Sequence, residues 1–562
     1  MSSIRQVERL NLEKNAKLSR HFLSNTLDKS KGYLPFFWIF ISKGKEKFAE
    51  LRHSWPDQEI AFRYLDSLIK LNRIKCNKES KTAEEKLKKL LLSCLKEDGL
   101  AYRPEWPPMT SYDALIMDQN RALTALVSWF EKEGSKFIKN RIDKMIEKLT
   151  DITFKKRDYW YFPYNIYTPS GWNKEWFSYW GEGEKKRQVL TSVEFAISGA
   201  ASNGGMLILP LVEYYRLTKN EKSLKLAKMM VNWNLYHSEF KEDGSFVGHF
   251  HSHSNTILGI LHYGFLANKR DLIDWGIRAY NWAKERLGTD FGWFPEREHK
   301  NVCETCCIVD MVEIAITLAQ NGYPEYWADA ERFVRNQLIE NQLKDTGWLK
   351  EGNNRDTEFS IFKNVPEKIK GAFAGWSYPT DFYAEANSYR ENMDFFVMNC
   401  CSGHAPRAIY SAWENSVKKD NRGIWVNFLW DKRSKWVEVK GYQPYQGKVE
   451  IKMFINSNLF IRIPDWVKGK TLKIKVDGKY LHSFFSYEHK RDIEWAGEHI
   501  FVNNLKKGQK ITIEFPLRVK KERVFAGARE YEVQWRGDTV IKTKDIISPG
   551  RKANLPLYQK RI

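Results

Sequence analysis

The stretch GWFPEREHKNVCETCCIVDMVEIAITL, residues 292–318, is the basis of our prediction of the fold. Its first part is rich in acids and thiols, whereas Ile308 to Leu318 carries apolar residues at helical spacing. One pair of helical segments, Asn255 to Leu266 and Asp271 to Leu287, precedes it, and the next pair begins at Ile308 and continues at Tyr326 to Ile339. A loop with reactive residues therefore connects two successive helix pairs.

Helical periodicity recurs through the chain up to about residue 415. It occurs in Ala61 to Ile74, in Asp118 to Phe130, and in the pair formed by Met206 to Leu217 and Ser223 to Trp233. Stacked helical repeats and an α/α barrel share this periodicity. Because functional residues gather in several connecting loops, we favour a barrel that closes around a pocket.

After about Lys419 the apolar residues alternate with polar ones, which is typical of strands. Thr471 to Val476 alternates in this way and is followed by the turn signal Asp477-Gly478. We therefore predict a mainly α protein with a C-terminal all-β domain, an α/α barrel followed by a β-sandwich. The predicted divisions are a catalytic barrel at 1–418, a sandwich at 419–525 and an extension at 526–562 that packs on the body.

Aromatic residues make up 14% of the chain, which suits stacking on sugar rings as well as a large aromatic core. Eleven of them lie in Tyr159 to Trp180, which is too irregular for one amphipathic helix. We interpret this segment as a pocket wall. The loop Gly371 to Asp381 would be a second loop that closes the same site. Trp176 and Trp376 are the predicted substrate contacts.

The formal charge of +21 does not indicate a nucleic-acid binder, because the basic residues are spread along the chain instead of clustering. The surplus could attract an acidic, uronate-bearing glycan by long-range steering. The longest apolar run, Tyr33 to Ser42, is too short to span a membrane. The polar N-terminus lacks the features of a secretory signal, so we expect a cytoplasmic protein in which clustered cysteines bind metal or act in catalysis.

Five of the seven cysteines fall in two clusters, Cys303-Glu-Thr-Cys306-Cys307 and Cys400-Cys401. A redox Cys-x-x-Cys pair, a structural zinc finger and unligated buried thiols are the simpler interpretations. However, the βαβ context of a redox pair and a second Cys-x-x-Cys are both missing. Glu304, Cys306, Cys400 and Cys401 would suit the sulfur-rich shell that Zn²⁺ prefers.

Three histidines alternate in His249 to His253. They could form another metal site or lie on the surface, but we interpret the segment as a loop that enters a helix at Asn255. In such a loop, His251 and His253 would donate hydrogen bonds to a polar ligand.

Four motifs together carry a resemblance to a known family. His253-Ser-Asn-Thr256, Glu304-Thr-Cys306, Cys400-Cys401 and Ile463-Pro-Asp-Trp466, in this order and spacing, resemble glycoside hydrolase family 127, the β-L-arabinofuranosidase-type family. The resemblance covers most of the chain. It implies an α/α barrel followed by β-sandwich structure.

The resemblance also implies roles for individual residues. Zinc would be bound by Glu304, Cys306, Cys400 and Cys401, and Cys400 would attack the anomeric carbon. His253 matches the histidine that touches the sugar. The family's acid/base glutamate lies further upstream of the Glu-x-Cys motif than any glutamate of this loop, so Glu296 is our choice over Glu298.

We therefore expect a zinc-dependent retaining glycoside hydrolase that acts on a β-L-arabinofuranosyl or related oligosaccharide. A zinc-stabilised glycan-binding or scaffold protein, or a sugar lyase or epimerase on the same barrel, is the alternative. The region after the first sandwich is short, so a second sandwich is not expected. The sequence leaves the oligomeric state open, with a homodimer as one option.

Overall fold

The structure is a computed structural model. It describes residues 9–42, 44–53, 58–103, 113–173, 175–179, 185–189, 204–383, 393–481, 493–548, 553 and 555–558.

The described part of the chain contains thirteen α-helices. They are α1 Leu12–Asn25, α2 Gln58–Ile74, α3 Lys78–Cys94, α4 Ile116–Glu133, α5 Lys136–Ile152, α6 Ile208–Thr218, α7 Glu221–His237, α8 Phe250–Leu266, α9 Arg270–Arg286, α10 Thr305–Gln320, α11 Tyr326–Phe333, α12 Val365–Lys368 and α13 Asn399–Asn415. Short 3₁₀ segments lie at Lys29–Lys31, Gly205–Leu207 and Gly469–Thr471, and a π-helical turn, Val334–Leu338, continues α11.

Six of the described helices form a closed ring. Helices α2, α4, α6, α8, α10 and α13 pack each against the next, and α13 packs back against α2. The other long helices lie outside this ring, so inner and outer helices alternate along the chain. The predicted α/α barrel is confirmed.

The sequence explains which helices are inner and which are outer. Inner helix α10 is buried on all sides from Thr305 to Ala319, and its sequence is correspondingly apolar around its whole circumference. Outer helix α5 buries only the stripe that includes Ile138, Ile142 and Ile146, and its other face is polar. Each buried Ile or Leu contributes about 1.5–3 kcal/mol, so this stripe is sufficient to hold α5 on the ring.

Strands also occur within the barrel half of the chain. A five-stranded sheet is formed by Leu349–Lys350, Lys47–Arg52, Trp38–Ser42 and Met393–Met398 in that order, with Ser360–Ile361 on Lys47–Arg52. Smaller pairings join Leu27–Asp28 with Leu34–Pro35, Ala114–Leu115 with Ile166–Thr168 and Gly171–Asn173, Phe154–Lys155 with Trp160–Tyr161, Glu175–Tyr179 with Lys185–Val189, and Cys303–Glu304 with Trp376–Ser377. The apolar run at Tyr33 to Ser42 is thus largely a buried strand.

Two sheets that share one aliphatic core follow α13. The first has the order Val417–Lys419, Ile424–Val426, Ser457–Arg462, His499–Leu505, Ile493–Ala496. The second has the order Lys432–Arg433, Val437–Gly441, Lys448–Met453, Lys510–Glu514, Lys473–Val476, Lys479–Tyr480. Asp477 and Gly478 both have positive φ, 49° and 82°, at the predicted turn. The β-rich C-terminal region is confirmed.

A third sheet contains Val519–Ala526, Arg529–Arg536 and Thr539–Asp545. Its inward residues, among them Tyr531, Val533 and Trp535, belong to the core of the barrel. The predicted division at 525/526 falls at the end of its first strand, and the domain boundaries stay predictions. None of the described helices combines the length and apolar character needed to cross a membrane.

Candidate active site

The N-terminal ends of the inner helices meet at one end of the barrel. Charged, thiol and imidazole groups from the first two turns of α2, α4, α8, α10 and α13 come together there. They are Glu59, Arg63, Arg121, His251, Cys306, Cys400, Cys401 and His404. Because the N-terminus of a helix carries partial positive charge, this arrangement favours anionic groups in the centre.

Three thiols lie at the centre of this end. The sulfur atoms of Cys306, Cys400 and Cys401 are within 4.8 Å of one another, and the Cys306 and Cys401 sulfurs are 3.4 Å apart. All three cysteines are free thiols. Cys306 and Cys401 are fully buried, whereas Cys400 is only partly buried. Of the three, Cys400 is therefore the one that a substrate can reach.

The surroundings favour the thiolate of Cys400. Hydrogen bonds from Cys306 and Cys401 and the charge of Arg63 hold the pKa of Cys400 well below its ordinary value, against the effect of burial. Burial raises the pKa of Cys306 and of Cys401 well above the ordinary value. The position of Cys400 in the first turn of α13 acts in the same direction as Arg63.

Two buried arginines and one glutamate surround the thiols. The Arg63 guanidinium lies 3.2 Å from the Glu59 carboxylate and donates to the Cys306 sulfur at 3.8 Å. Arg121 lies 3.9 Å from the same carboxylate. All three residues are at most 7% exposed. Two cations thus face one carboxylate beside the thiols, which stabilises negative charge on sulfur.

His251 and His404 form a second group with Cys306, and the ligand atoms of the three lie within 4.8 Å of one another. The Nε2 atom of His251 lies 2.9 Å from an Arg121 nitrogen and 3.4 Å from an Arg63 nitrogen, so it must accept. The proton is therefore on Nδ1, which donates to the Asp310 carboxylate at 2.6 Å. With its lone pair engaged by arginine, His251 is a weaker metal ligand than the thiols.

Asp310 fixes this imidazole from behind. Its carboxylate also accepts hydrogen bonds from Ser254 at 2.7 Å and from Asn255 at 3.0 Å. Burial raises the pKa of Asp310 to about 7, although these hydrogen bonds oppose the rise.

Glu304 lies beside the thiols, at the residue that precedes α10. Its carboxylate accepts from His249 Nε2 at 2.9 Å and lies 3.9 Å from the Cys307 sulfur. Burial alone would lower the pKa of His249, but the Glu304 carboxylate raises it. Glu304 does not belong to the group of three thiols or to the group of His251, Cys306 and His404, as far as the described residues show.

The two candidate acid/base residues have different environments. Glu296 is 8% exposed, its carbonyl oxygen accepts from the amide of Phe250 at the start of α8, and its carboxylate contacts Arg297 at 2.9 Å. Its charge also acts on His249. Glu298 instead accepts from the amide of Gly248 at 3.0 Å and lines a separate cleft of about 460 Å³. The environment thus favours Glu296.

The histidine segment is helical, so the predicted loop up to Asn255 is wrong: α8 already begins at Phe250. In a helix, residues two positions apart point to different sides. His251 consequently faces the thiols, whereas His253 is fully buried, contacts Glu239 at 3.0 Å and stacks on Phe246 at 4.6 Å.

The two predicted tryptophan contacts have different outcomes. Trp376 pairs with Glu304 across the short sheet, and the Cys401 sulfur lies 3.7 Å from the carbonyl oxygen of Gly375. The loop Gly371 to Asp381 therefore does lie against the thiols. Trp176 is in the strand Glu175–Tyr179, but its side chain lies outside the described part of the structure.

Sequence reasoning missed Glu59, Arg63, Arg121, Asp310 and His404. A signal was present at Glu59 and Arg63, which are four residues apart and lie beside the apolar residues of α2. An ion pair at that spacing is, however, also typical of a solvated helix face.

The donor set fits zinc. Three free, converging thiols with a carboxylate alongside are the ligand types that this ion prefers. The Nδ1 atom of buried His404 has no hydrogen-bond partner among the described residues, so a further nitrogen is available near Cys306. The site can therefore hold a soft metal ion.

Comparisons with known proteins identify the fold. No protein-family model matches the chain, and no curated protein sequence matches it. Solved structures do. A GH127 β-L-arabinofuranosidase from Geobacillus stearothermophilus T6 has a TM-score of 0.59 at 13% identity, over 95% of this chain and 85% of that chain. The fold is that of the GH127 β-L-arabinofuranosidases.

Two further solved structures agree. A protein described as a GH127 β-arabinofuranosidase has a TM-score of 0.57 at 14% identity, over 94% of this chain and 79% of that chain. One described as a glycoside hydrolase has a TM-score of 0.59 at 12% identity, over 95% and 81%. At these identities the similarity establishes the architecture, including the C-terminal sheets.

Proposed function

We propose that the chain is a retaining glycoside hydrolase that uses Cys400 as its nucleophile on a β-L-arabinofuranosyl or related oligosaccharide. The observation that carries this proposal is the position of Cys400. It is the partly buried thiol of the cluster and lies in the first turn of an inner helix. Hydrogen bonds from Cys306 and Cys401, together with Arg63, stabilise it as thiolate. The fold shared with GH127 β-L-arabinofuranosidases supports the substrate class.

Cys306, Cys400, Cys401 and Glu304 would hold Zn²⁺. When bound, zinc would keep sulfur in the thiolate form near neutral pH and stabilise it as a leaving group. Arg63 and Arg121 contribute positive charge to the same end of the barrel.

The chain's own residues account for both halves of the reaction. In the first half, Cys400 Sγ forms a bond to the anomeric carbon while the bond to the leaving oxygen breaks, and Glu296 gives its proton to that oxygen. In the second half, Glu296 takes a proton from water, the water oxygen bonds to the anomeric carbon and the sulfur leaves as thiolate. Two displacements return the original anomeric configuration.

A covalent probe tests the nucleophile directly. An L-arabinofuranose-configured epoxide should label the native chain once, and peptide mass spectrometry should place the label on Cys400. Proton NMR during hydrolysis of an aryl β-L-arabinofuranoside should show the β-anomer of arabinose forming first. Label on another residue, or initial release of the α-anomer, would contradict the proposal.

Paired variants test the acid/base residue. Glu296→Gln should slow hydrolysis of a glycoside with a poor leaving group by about 10²–10⁴-fold, while Glu298→Gln should retain most of the rate. An aryl glycoside with a good leaving group should be less affected in the first step. If Glu298→Gln has the larger effect, the assignment of Glu296 is wrong.

Metal analysis separates the enzyme from the alternative of a zinc-stabilised glycan-binding protein. The native chain should contain about one zinc per chain, and Cys401→Ser should contain much less. A chain that binds zinc and glycan but neither reacts with the epoxide nor hydrolyses any furanoside would be a binding protein.

A further inference from the structure

A cationic cleft lies apart from the thiol site. It has a volume of about 620 Å³ and is bounded by α1, the π-helical turn after α11, the short helix α12 and the loop Gln443–Tyr445 between two sandwich strands. It shares no lining residue with the thiol cluster. Its volume is in the range of pockets that bind small molecules.

The charge of the cleft is strongly one-sided. Six lysine and arginine side chains line it against two glutamates. The lysines Lys14, Lys17, Lys344 and Lys370 form no ion pair with any described residue. A cleft lined by charges of one sign concentrates ligands of the opposite sign. The ligand that fits this cleft is therefore an anion.

Arg335 supplies a buried donor in this cleft. Its side chain is 3% exposed, and one terminal nitrogen donates to the Glu331 carboxylate and to the Leu429 carbonyl oxygen. The Nε atom, by contrast, has no hydrogen-bond partner among the described residues. A buried charged donor without a partner is costly, and an anionic oxygen in the cleft would satisfy it.

The spacing of the polar side chains along α1 favours an extended ligand. Lys14, Lys17 and His21 lie three and four residues apart on one face of α1, all along the cleft. This row spans about 10 Å at 1.5 Å per residue, which exceeds the size of one phosphate and matches two or three linked sugars. Tyr445 adds an aromatic ring to the same lining.

We propose that this cleft binds an acidic oligosaccharide, with one uronate carboxylate at Arg335 and further carboxylates along the α1 row. It would be a second carbohydrate-binding site that retains the enzyme on uronate-bearing polymers. The identification of the ligand as a sugar rests on the proposed function, whereas the anion site itself does not.

Calorimetry with trigalacturonate tests this proposal on the full-length protein. The native protein should bind trigalacturonate, with affinity that falls as salt rises, and should not bind a neutral glucose trisaccharide. The double variant Lys14→Gln/Lys17→Gln should weaken binding at least 10-fold without changing the melting temperature. The matched double variant Lys81→Gln/Lys89→Gln, on exposed lysines of α3, should bind like the native protein.

Three outcomes would overturn the proposal. They are absence of trigalacturonate binding, equal binding by the Lys14/Lys17 variant, and binding of inorganic phosphate alone. Cys400→Ala should bind trigalacturonate as well as the native protein does, which separates this cleft from the thiol site. An inactive native protein that still binds trigalacturonate through Lys14 and Lys17 would refute the proposed hydrolase and leave the cleft intact.

Discussion

The sandwich core and the N-terminal end of the barrel have different interiors. The buried residues of the sandwich core are aliphatic except for Met453 and Phe515, and Trp436 and Trp466 pack against them. The N-terminal end of the barrel buries Glu59, Arg63, Arg121 and Asp310 beside three thiols. Burying a charge is costly unless it is paired, so a chain that only needed to fold would have filled both interiors in the same way.

The barrel end departs from the apolar packing that stabilises the sandwich. The sandwich is sufficient as a structural element, because apolar burial alone stabilises it. The barrel end carries its buried charges at a cost that an anionic reaction centre would justify. Substitutions in the two halves should consequently affect different measured quantities.

The largest effect is expected at the nucleophile. Cys400→Ala should lower kcat by at least about 10⁴-fold, equivalent to roughly 5 kcal/mol, because no group replaces the attacking sulfur. The melting temperature should stay within a few degrees of the native value. Steady-state hydrolysis and thermal unfolding measure the two effects, with exposed Cys76→Ala as the control. An active Cys400→Ala enzyme would show that Cys400 is not the nucleophile.

Breaking the buried ion pair should be the next largest effect. Arg63→Met should destabilise the barrel by about 4 kcal/mol, because among the described residues it leaves the buried Glu59 carboxylate with the more distant Arg121 as its ion-pair partner. It should also lower kcat by removing positive charge beside Cys400. Arg270→Met, at an exposed pair with Asp274, should cost far less in the same urea titration, because solvent screens that pair. Equal costs at the two pairs would contradict this ranking.

A cavity in the sandwich should affect stability alone. Ile451 is fully buried, and Ile451→Ala should destabilise the protein by about 3 kcal/mol while the kcat of the remaining folded protein is unchanged. Ile451→Val, which removes one methylene group, should cost about 1 kcal/mol. A large fall in kcat for either variant would show that the sandwich contributes to the reaction.

The smallest predicted effect is a pH dependence at the junction of the two halves. Burial lowers the pKa of Lys432 to about 7, and its Nζ lies 3.0 Å from the centre of the Trp413 ring on α13. Between pH 7 and about 10.5 the unfolded chain keeps this proton while the folded chain releases it, so stability rises with pH in that window.

The magnitude should be about 2 kcal/mol between pH 7 and 9, because the folded chain has largely lost the Lys432 proton over this range while the unfolded chain keeps it. Lys432→Met should abolish this rise in urea titrations at the two pH values. Lys435→Met, which removes an exposed lysine over Trp436, should leave it unchanged. A rise of equal size in the Lys432→Met protein would assign the pH dependence to other groups.

Much of the fold follows from periodicity because burial imposes it. Inner helices such as α10 are apolar on all sides, and the strands of the sandwich alternate as predicted. The third sheet was not predicted as a unit: its first strand, Val519–Ala526, was assigned almost entirely to the sandwich and its other two strands to an extension. Val519–Ala526 is rich in lysine, arginine and glutamate and exposes alternate residues. Its pairing depends on distant strands, which local sequence does not indicate.

The thiols of the site were predictable, but the groups around them were not. Cys306, Cys400 and Cys401 stand out by residue type alone. Glu59 and Arg63 look like a solvated ion pair until the ring closes over them. The interpretation of His253 depended on local conformation. In an extended segment, alternate residues lie on the same face, whereas in a helix they point to different sides.

Closure of the helical ring has a consequence for synthesis on the ribosome. Contacts between α2 and α13 join residues far apart in the chain, and Arg407 and Asp66, which form an ion pair across this seam, are 341 positions apart. The thiol cluster cannot form until α13 has left the ribosome, because Cys400 and Cys401 lie on that helix. During translation Cys306 therefore lacks the two neighbouring thiols. A nascent chain that stalls before α13 would leave that sulfur without the two thiols that adjoin it in the folded protein.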